Sequence, residues 1–467
     1  MRHVLRVGVV SSLASLALVA SATAGWAASP SPSGPSTLAV VGDAPVVPRG
    51  AYAIGVPPTN TQVSFSVVVQ PHDPAGLAQF AQDVSTPGSP SYRHFLRAGE
   101  YETRFGPTAK TLTTVAARLR SLGLVVGTPT GSVLPVSGSE HAVGAALHTT
   151  FSQYRVASGR VARANTSAPQ LPVEVAASVQ SIVGLDDLVE LRHTPTSAGR
   201  RLSTPNSGSF LTPFVAGPAP CPSITGGSAY TADQIAARYG LTSFYGAGNL
   251  GAGVTVAVAE LEPFQAADIS AYQACYGTSA TVNTVTVGVG AAGPDGGEAA
   301  LDIEDIIGLA PAAAVSVYEA PNSSSGVLNL YNRIATDNIA QVVSTSWGLC
   351  EALTGASFAS TERLIFQQMA VQGQTMLAAT GDTGSEACFQ SNASTALGVS
   401  DPASQPEVTG VGGTSLTTVT GPEVTRNVSS DGAGGGGSSA LWTRPAWQPV
   451  AGTARQVPDV SASADSA

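Results

Sequence analysis

Three stretches in the second half of this chain place acidic side chains where a strand or loop should end. The apolar run of residues 254–259 leads into Glu260, and the run 375–380 leads into Gly381-Asp382-Thr383-Gly384. Gly296-Gly297 opens a helical stretch carrying Glu298 and Asp302. Residues four apart project from one face of a helix, so these two carboxylates can share a path for a proton. Their neighbours Ala299, Ala300, Leu301, Ile303, Ile306 and Ile307 are apolar, which predicts a partly buried pair with raised pKa. Carboxylates would have to do the proton transfer there. All six histidines (His3, His72, His94, His141, His148 and His193) precede residue 194, which excludes a Ser-His-Asp triad built within the second half.

All four cysteines, Cys221, Cys275, Cys350 and Cys388, also lie in that half. An even number with no CxxC spacing and no accompanying histidine points to two disulfides rather than a metal site. Three pairings are open, and the preferred one joins Cys221 to Cys275 and Cys350 to Cys388.

The elements that must position these groups follow from hydrophobic periodicity. Buried strands are expected at 254–259, 314–318, 339–345 and 375–379, with helical stretches between them, which is the pattern of a parallel α/β sheet. Such sheets place their chemistry at the carboxyl ends of the strands. The first half reads differently. Val63, Phe65, Val67 and Val69 alternate as a half-buried strand, helices are expected at 73–84, 111–122 and from Ser139-Glu140-His141 to near Phe151, and strands at 133–136 and 154–161. Two strand–helix–strand units of this kind predict an α+β, ferredoxin-like sandwich.

Composition separates the halves further. The chain has 467 residues, 43% hydrophobic and 11% charged, enough for at least two packed units, and its net charge of −10 argues against a nucleic-acid partner. Residues 29–220 carry a net +3, whereas residues 221–467 hold six arginines, no lysine and 21 acidic groups, a net −15. Arg2 and Arg6, the apolar run 7–20 and the small residues that follow read as an export signal over residues 1–28, and no later stretch is long and apolar enough to span a membrane. The expected organisation is therefore the signal at 1–28, an N-terminal domain over 45–193, an exposed linker over 194–224 containing Arg200-Arg201, and a C-terminal domain over 225–467.

The order and spacing of several blocks resemble a known family. Gly297-Glu298-Ala299-Ala300-Leu301-Asp302, Val343-Ser344-Thr345-Ser346-Trp347-Gly348, Ala379-Thr380-Gly381-Asp382-Thr383-Gly384, Asp401-Pro402-Ala403-Ser404 and Val411-Gly412-Gly413-Thr414-Ser415 are similar to blocks of the sedolisin (kumamolisin-like) serine-carboxyl peptidases. Residues 89–96 and 104–107 resemble that family's activation domain. The resemblance implies a subtilisin-like parallel sheet with helices on both faces. It also implies a secreted, acid-active endopeptidase made as a zymogen, with the first domain as intramolecular inhibitor and polypeptides as substrates. By the same resemblance Glu298 is the general base, Asp302 the acid behind it, Glu260 an extension of the proton network, and Asp382 a protonated donor to the oxyanion. Ser346-Trp347-Gly348 would pair with substrate backbone. Ser415 reads as a strand residue, and no Gly-Thr-Ser-x-x-x-Pro segment follows. Nucleophile and calcium ligands are accordingly expected beyond residue 467 of a C-terminally incomplete sheet, and a catalytically inactive, peptide-binding homologue is the alternative.

Overall fold

Strand formation in the first half follows the expected alternation. In the computed structural model, which describes residues 37–192, 217–222, 224, 230–428 and 432–466, the run Gln62–Val69 is strand β1. Val63, Phe65, Val67 and Val69 face the sandwich core, and Val68 is buried as well, because its opposite side packs into the core of the second half. Asp73 caps helix α1 (Pro74–Ser85) by accepting from the Gly76 amide at 2.9 Å. There follow α2 (Ala109–Ser121), β2 (Val125–Val126), β3 (Val133–Ser139), α3 (Glu140–Leu147), β4 (Phe151–Arg155), β5 (Val161–Asn165) and β6 (Val179–Val183). The sheet order β2-β3-β1-β6, antiparallel throughout, is the ferredoxin-like arrangement.

Two local expectations in this half are corrected. The helix beginning at Glu140 stops at Leu147, because His148 takes a left-handed conformation (φ 52°) as its C-cap. Residues 154–161 are not one strand. They run from the end of β4 through a turn at 156–160 to the first residue of β5, in a register that pairs Phe151 with Asn165 and Arg155 with Val161. The module also begins earlier than residue 45, since Leu38–Val40 pairs with Gln170–Pro172.

The second half is built on an eight-stranded sheet. Its members are β7 (Thr255–Glu260), β8 (Val282–Thr286), β9 (Ala314–Glu319), β10 (Val342–Thr345), β11 (Thr375–Ala379), β12 (Thr409–Leu416), β13 (Glu423–Thr425) and β14 (Val460–Ser466). The order is β8-β9-β7-β10-β11-β12-β13, with β14 also on β12, and every pairing is parallel except β12–β13. Helix α4 (Glu298–Leu309) packs Ile303 and Ile307 against Val258, Val315 and Val317 on one face. Helices α5 (Ser324–Asp337) and α6 (Ala356–Gln372) cover the other face. This is the expected fold class, a parallel α/β sheet with helices on both faces behind an α+β domain. Cys221–Cys275 and Cys350–Cys388 are both bridged, as expected.

Beyond Leu38 the two modules pack as one unit. The seam is made of apolar and hydrogen-bonded contacts. Val68, Val133, Val183 and Leu191 of the first module join the core beneath α5 and α6. Ser181 bonds Thr361 at 2.6 Å, Ser66 donates to Asn329 at 2.9 Å, and Asp43 accepts from the Ser357 amide at the start of α6 at 2.8 Å. Seven ion pairs among the described residues each lie within one module or the other. A cavity of about 470 Å³ remains in it, lined in part by Asp186, Glu362 and Asp401. The signal, His193 and Arg200-Arg201 lie outside the described residues, as does most of the linker.

Candidate active site

β7 lies between β9 and β10, which reach the chain by crossovers in opposite directions, and the acidic groups gather outside the carboxyl ends of these central strands. Glu260 is the last residue of β7 and is fully buried. One of its oxygens, Oε2, accepts from the indole Nε1 of Trp347 at 2.9 Å. The Asp302 carboxyl is its other neighbour. Burial first, and then the Asp302 charge, push the Glu260 pKa well above the usual carboxylate range.

Asp302 stands one turn along α4 from Glu298 and accepts from the Ser346 hydroxyl through both oxygens, each at 2.9 Å. Its pKa is raised to about 7, chiefly by desolvation and then by the Glu298 charge, while the hydrogen bonds from Ser346 and Glu260 pull it partly back. Trp347 and Glu260 are buried, Asp302 and Ser346 half-buried, and Glu298 is buried on the same helix face as Asp302.

Asp302 has a raised pKa, and Glu260 beside it is raised as well. Two participants escaped the sequence reading. The Ser346 hydroxyl, expected only as part of a backbone segment, is a hydrogen-bond partner of Asp302, and Glu262 bonds the backbone amide of Glu298 at 2.7 Å.

Asp382 follows β11 in a loop whose turn needs Gly381 at φ 96°, a conformation that only glycine adopts without strain. Its side chain is paired with the guanidinium of Arg426, a buried residue 44 positions away. Here Asp382 accepts from Arg426 instead of donating, and no local pattern announces that partner. Asp382 and Ser346 line one small cleft together with Gly348, Gly381, Thr383 and Ser400.

Arg192 lines that cleft too. Its amide donates to the Gly348 carbonyl at 3.0 Å, and the Gly348 amide donates back at 3.1 Å, a short antiparallel ladder on the expected substrate segment. Asn322 holds the preceding residue from both sides, accepting from the Leu191 amide at 2.9 Å and donating to its carbonyl at 3.0 Å. Ser415 is a buried residue of β12 opposite Val424 of β13. Among the described residues no group of three or more histidine, cysteine or acidic side chains is arranged to hold a metal, so no step below is routed through calcium.

The model of the pro-kumamolisin activation domain matches residues 49–188. Sedolisin of Pseudomonas sp. (strain 101) is 30% identical over 454 residues, covering 91% of this chain and 74% of that protein. Kumamolisin of Bacillus sp. (strain MN-32) is 36% identical over 267 residues, covering 51% of this chain and 47% of that protein. Xanthomonalisin of Xanthomonas sp. (strain T-22) is 29% identical over 393 residues, and the chain spans 45% of its length. Among solved structures, the epidermin leader peptide processing serine protease of Staphylococcus aureus aligns over 76% of this chain and 70% of its own, at 10% identity and a TM-score of 0.37. With an activation domain in front and buried carboxylates at the strand ends behind it, the chain belongs to the sedolisin family of serine-type peptidases.

Proposed function

We propose that this chain is the precursor of a secreted endopeptidase that works at acidic pH, with Glu298 as general base and residues 45–193 as its inhibitory propeptide. The observation that supports the reading is the gathering of Glu260, bonded by Trp347, and Asp302, bonded by Ser346, one helical turn from Glu298. A serine hydroxyl attacking a peptide carbonyl gives its proton to Glu298 as the Oγ–C bond forms. Glu298 then delivers that proton to the departing amine as the C–N bond breaks, and repeats the cycle with water to release the acyl group. Asp302 and Glu260 absorb the change in charge through the proton they share. Asp382, once turned from Arg426 and protonated, donates to the tetrahedral oxyanion. Its carboxyl can donate only in the acid form, which sets the working range below neutrality.

The inhibitory role rests on Arg192. It adds as a strand to Gly348, the way an extended peptide adds to a sheet edge, and so occupies the place proposed for substrate. Cleavage is expected shortly downstream, within 194–224. To test this, the full-length precursor is brought to about pH 4, within the carboxylate titration range, and followed by gel and N-terminal sequencing. Wild type is expected to cut itself in that stretch and the Glu298→Gln variant to remain whole. Equal processing of the two rates, or none in either, contradicts self-activation by Glu298. An intact full-length precursor that never gains activity at any pH supports the inactive homologue instead.

A further inference from the structure

Helix α4 has no cap of its own. The residue before it, Gly297, is left-handed at φ 95° and has no side chain to offer, so the amides of the first turn lack an intrahelical partner. Their partner comes from β7. Glu262, two residues past the end of that strand and buried, accepts through Oε1 from the amide of Glu298 at 2.7 Å and from that of Ala299 at 3.3 Å. Asp295 accepts from the Gly297 amide at 3.0 Å, which completes the turn. The space for the carboxylate exists because residue 296 is glycine. A Cβ there would stand 2.4 Å from Glu262 Oε2.

The strand end therefore holds the catalytic turn at two points. Glu260 engages the side chain of Asp302, and Glu262 engages the backbone of Glu298 itself. We propose that Glu262 is a positioning residue for the general base: by fixing the first residue of α4 it sets where the Glu298 carboxylate stands relative to the reacting hydroxyl. This rests on the reading of Glu298 as base. Glu262 reaches substrate only through Glu298, so its loss should alter turnover rather than substrate binding.

The test compares Glu262→Ala, Glu262→Gln and Glu262→Asp in the full-length enzyme at acidic pH, with kcat expressed per titrated active site. Alanine removes the acceptor and is expected to lower kcat by about 10- to 100-fold, the scale of a misplacement of about 1 Å, with KM within about twofold. Glutamine keeps an acceptor oxygen at the same reach and should restore kcat to within about threefold of wild type. Aspartate is one methylene short and should resemble alanine. That aspartate–glutamine pair decides the matter if the alanine variant does not fold. Unchanged kcat per site in alanine, a change confined to KM, or equal kcat for aspartate and glutamine overturns the proposal. Glu298→Gln is measured beside them. If it keeps full activity the base assignment itself fails, whereas a dead Glu298→Gln with unaffected Glu262 variants removes only the positioning role.

Discussion

Raising the pH from 4.5 to 8 should destabilise this fold, and two carboxyl pairs among several raised carboxyls contribute to the effect. Asp401 is buried against Glu362 of α6 and its pKa is pushed up to about 6, by desolvation before any other cause. Burial and the Asp401 charge raise Glu362 well above its usual range. At the active site Asp302 is raised to about 7, with Glu260 raised beside it. A carboxyl whose folded pKa exceeds its unfolded value contributes stability that is complete below the unfolded value, near 4. That contribution is lost as pH climbs through the folded pKa. From pH 4.5 to 8, Asp401 accounts for about 1.5 pH units, or about 2 kcal/mol, and Asp302 for about 2.5 units, or about 3 kcal/mol. About 5 kcal/mol together corresponds to a melting temperature roughly 5–10 °C lower at pH 8. Glu423 runs the other way, since its bonds to Thr414 and Tyr239 lower its pKa, and its contribution fades only below the carboxylate range. Differential scanning calorimetry across this span is the assay, with Asp401→Asn as control. Asparagine keeps an oxygen for Gln405 Nε2, which donates to Asp401 at 2.8 Å, but cannot ionise, so about 2 kcal/mol of the pH dependence should vanish. A melting temperature that is flat or rises toward pH 8 refutes the reasoning.

Substitutions at the cleft and the seam separate the remaining roles. Asp382→Asn, which keeps a donor, should lose less turnover than Asp382→Ala, for which about 3 kcal/mol of oxyanion stabilisation is at stake; equal losses in kinetic assays across pH would reduce Asp382 to a turn residue. Asn322→Ala frees Leu191 on both sides, so the precursor should cleave a peptide substrate at a pH where wild type is latent, and unchanged latency would show that the clamp does not hold the inhibitory segment.

Four strands of the sheet, β7, β9, β10 and β11, were legible because buried parallel strands read as short, largely apolar runs, and strand ends locate the chemistry. Glu298 and Asp302 share a face as the i, i+4 rule anticipates, whereas Glu260's place beside them was expected from the family resemblance. What escaped the sequence depends on contacts between distant residues. Glu262 caps a helix that begins 36 residues later, Arg426 meets Asp382 across 44, and Asn322 grips Leu191 across 131. The overlong third helix had a local cause. Its stop is a histidine in the left-handed region, where glycine or asparagine is the usual signal. Seam packing was hidden as well, because alternation marks the inner face of β1 while Val68 on the other face is buried by a different module.

Glu298 bears the central claim, and turnover of its glutamine variant tests it most directly. Full-length enzyme carrying Glu298→Gln, matched to wild type in melting temperature, is expected to lose at least about a hundredfold in kcat on a peptide substrate at acidic pH, the scale of a lost general base. Asp302→Asn should lose less. A Glu298→Gln enzyme that folds and turns over at the wild-type rate would contradict the account.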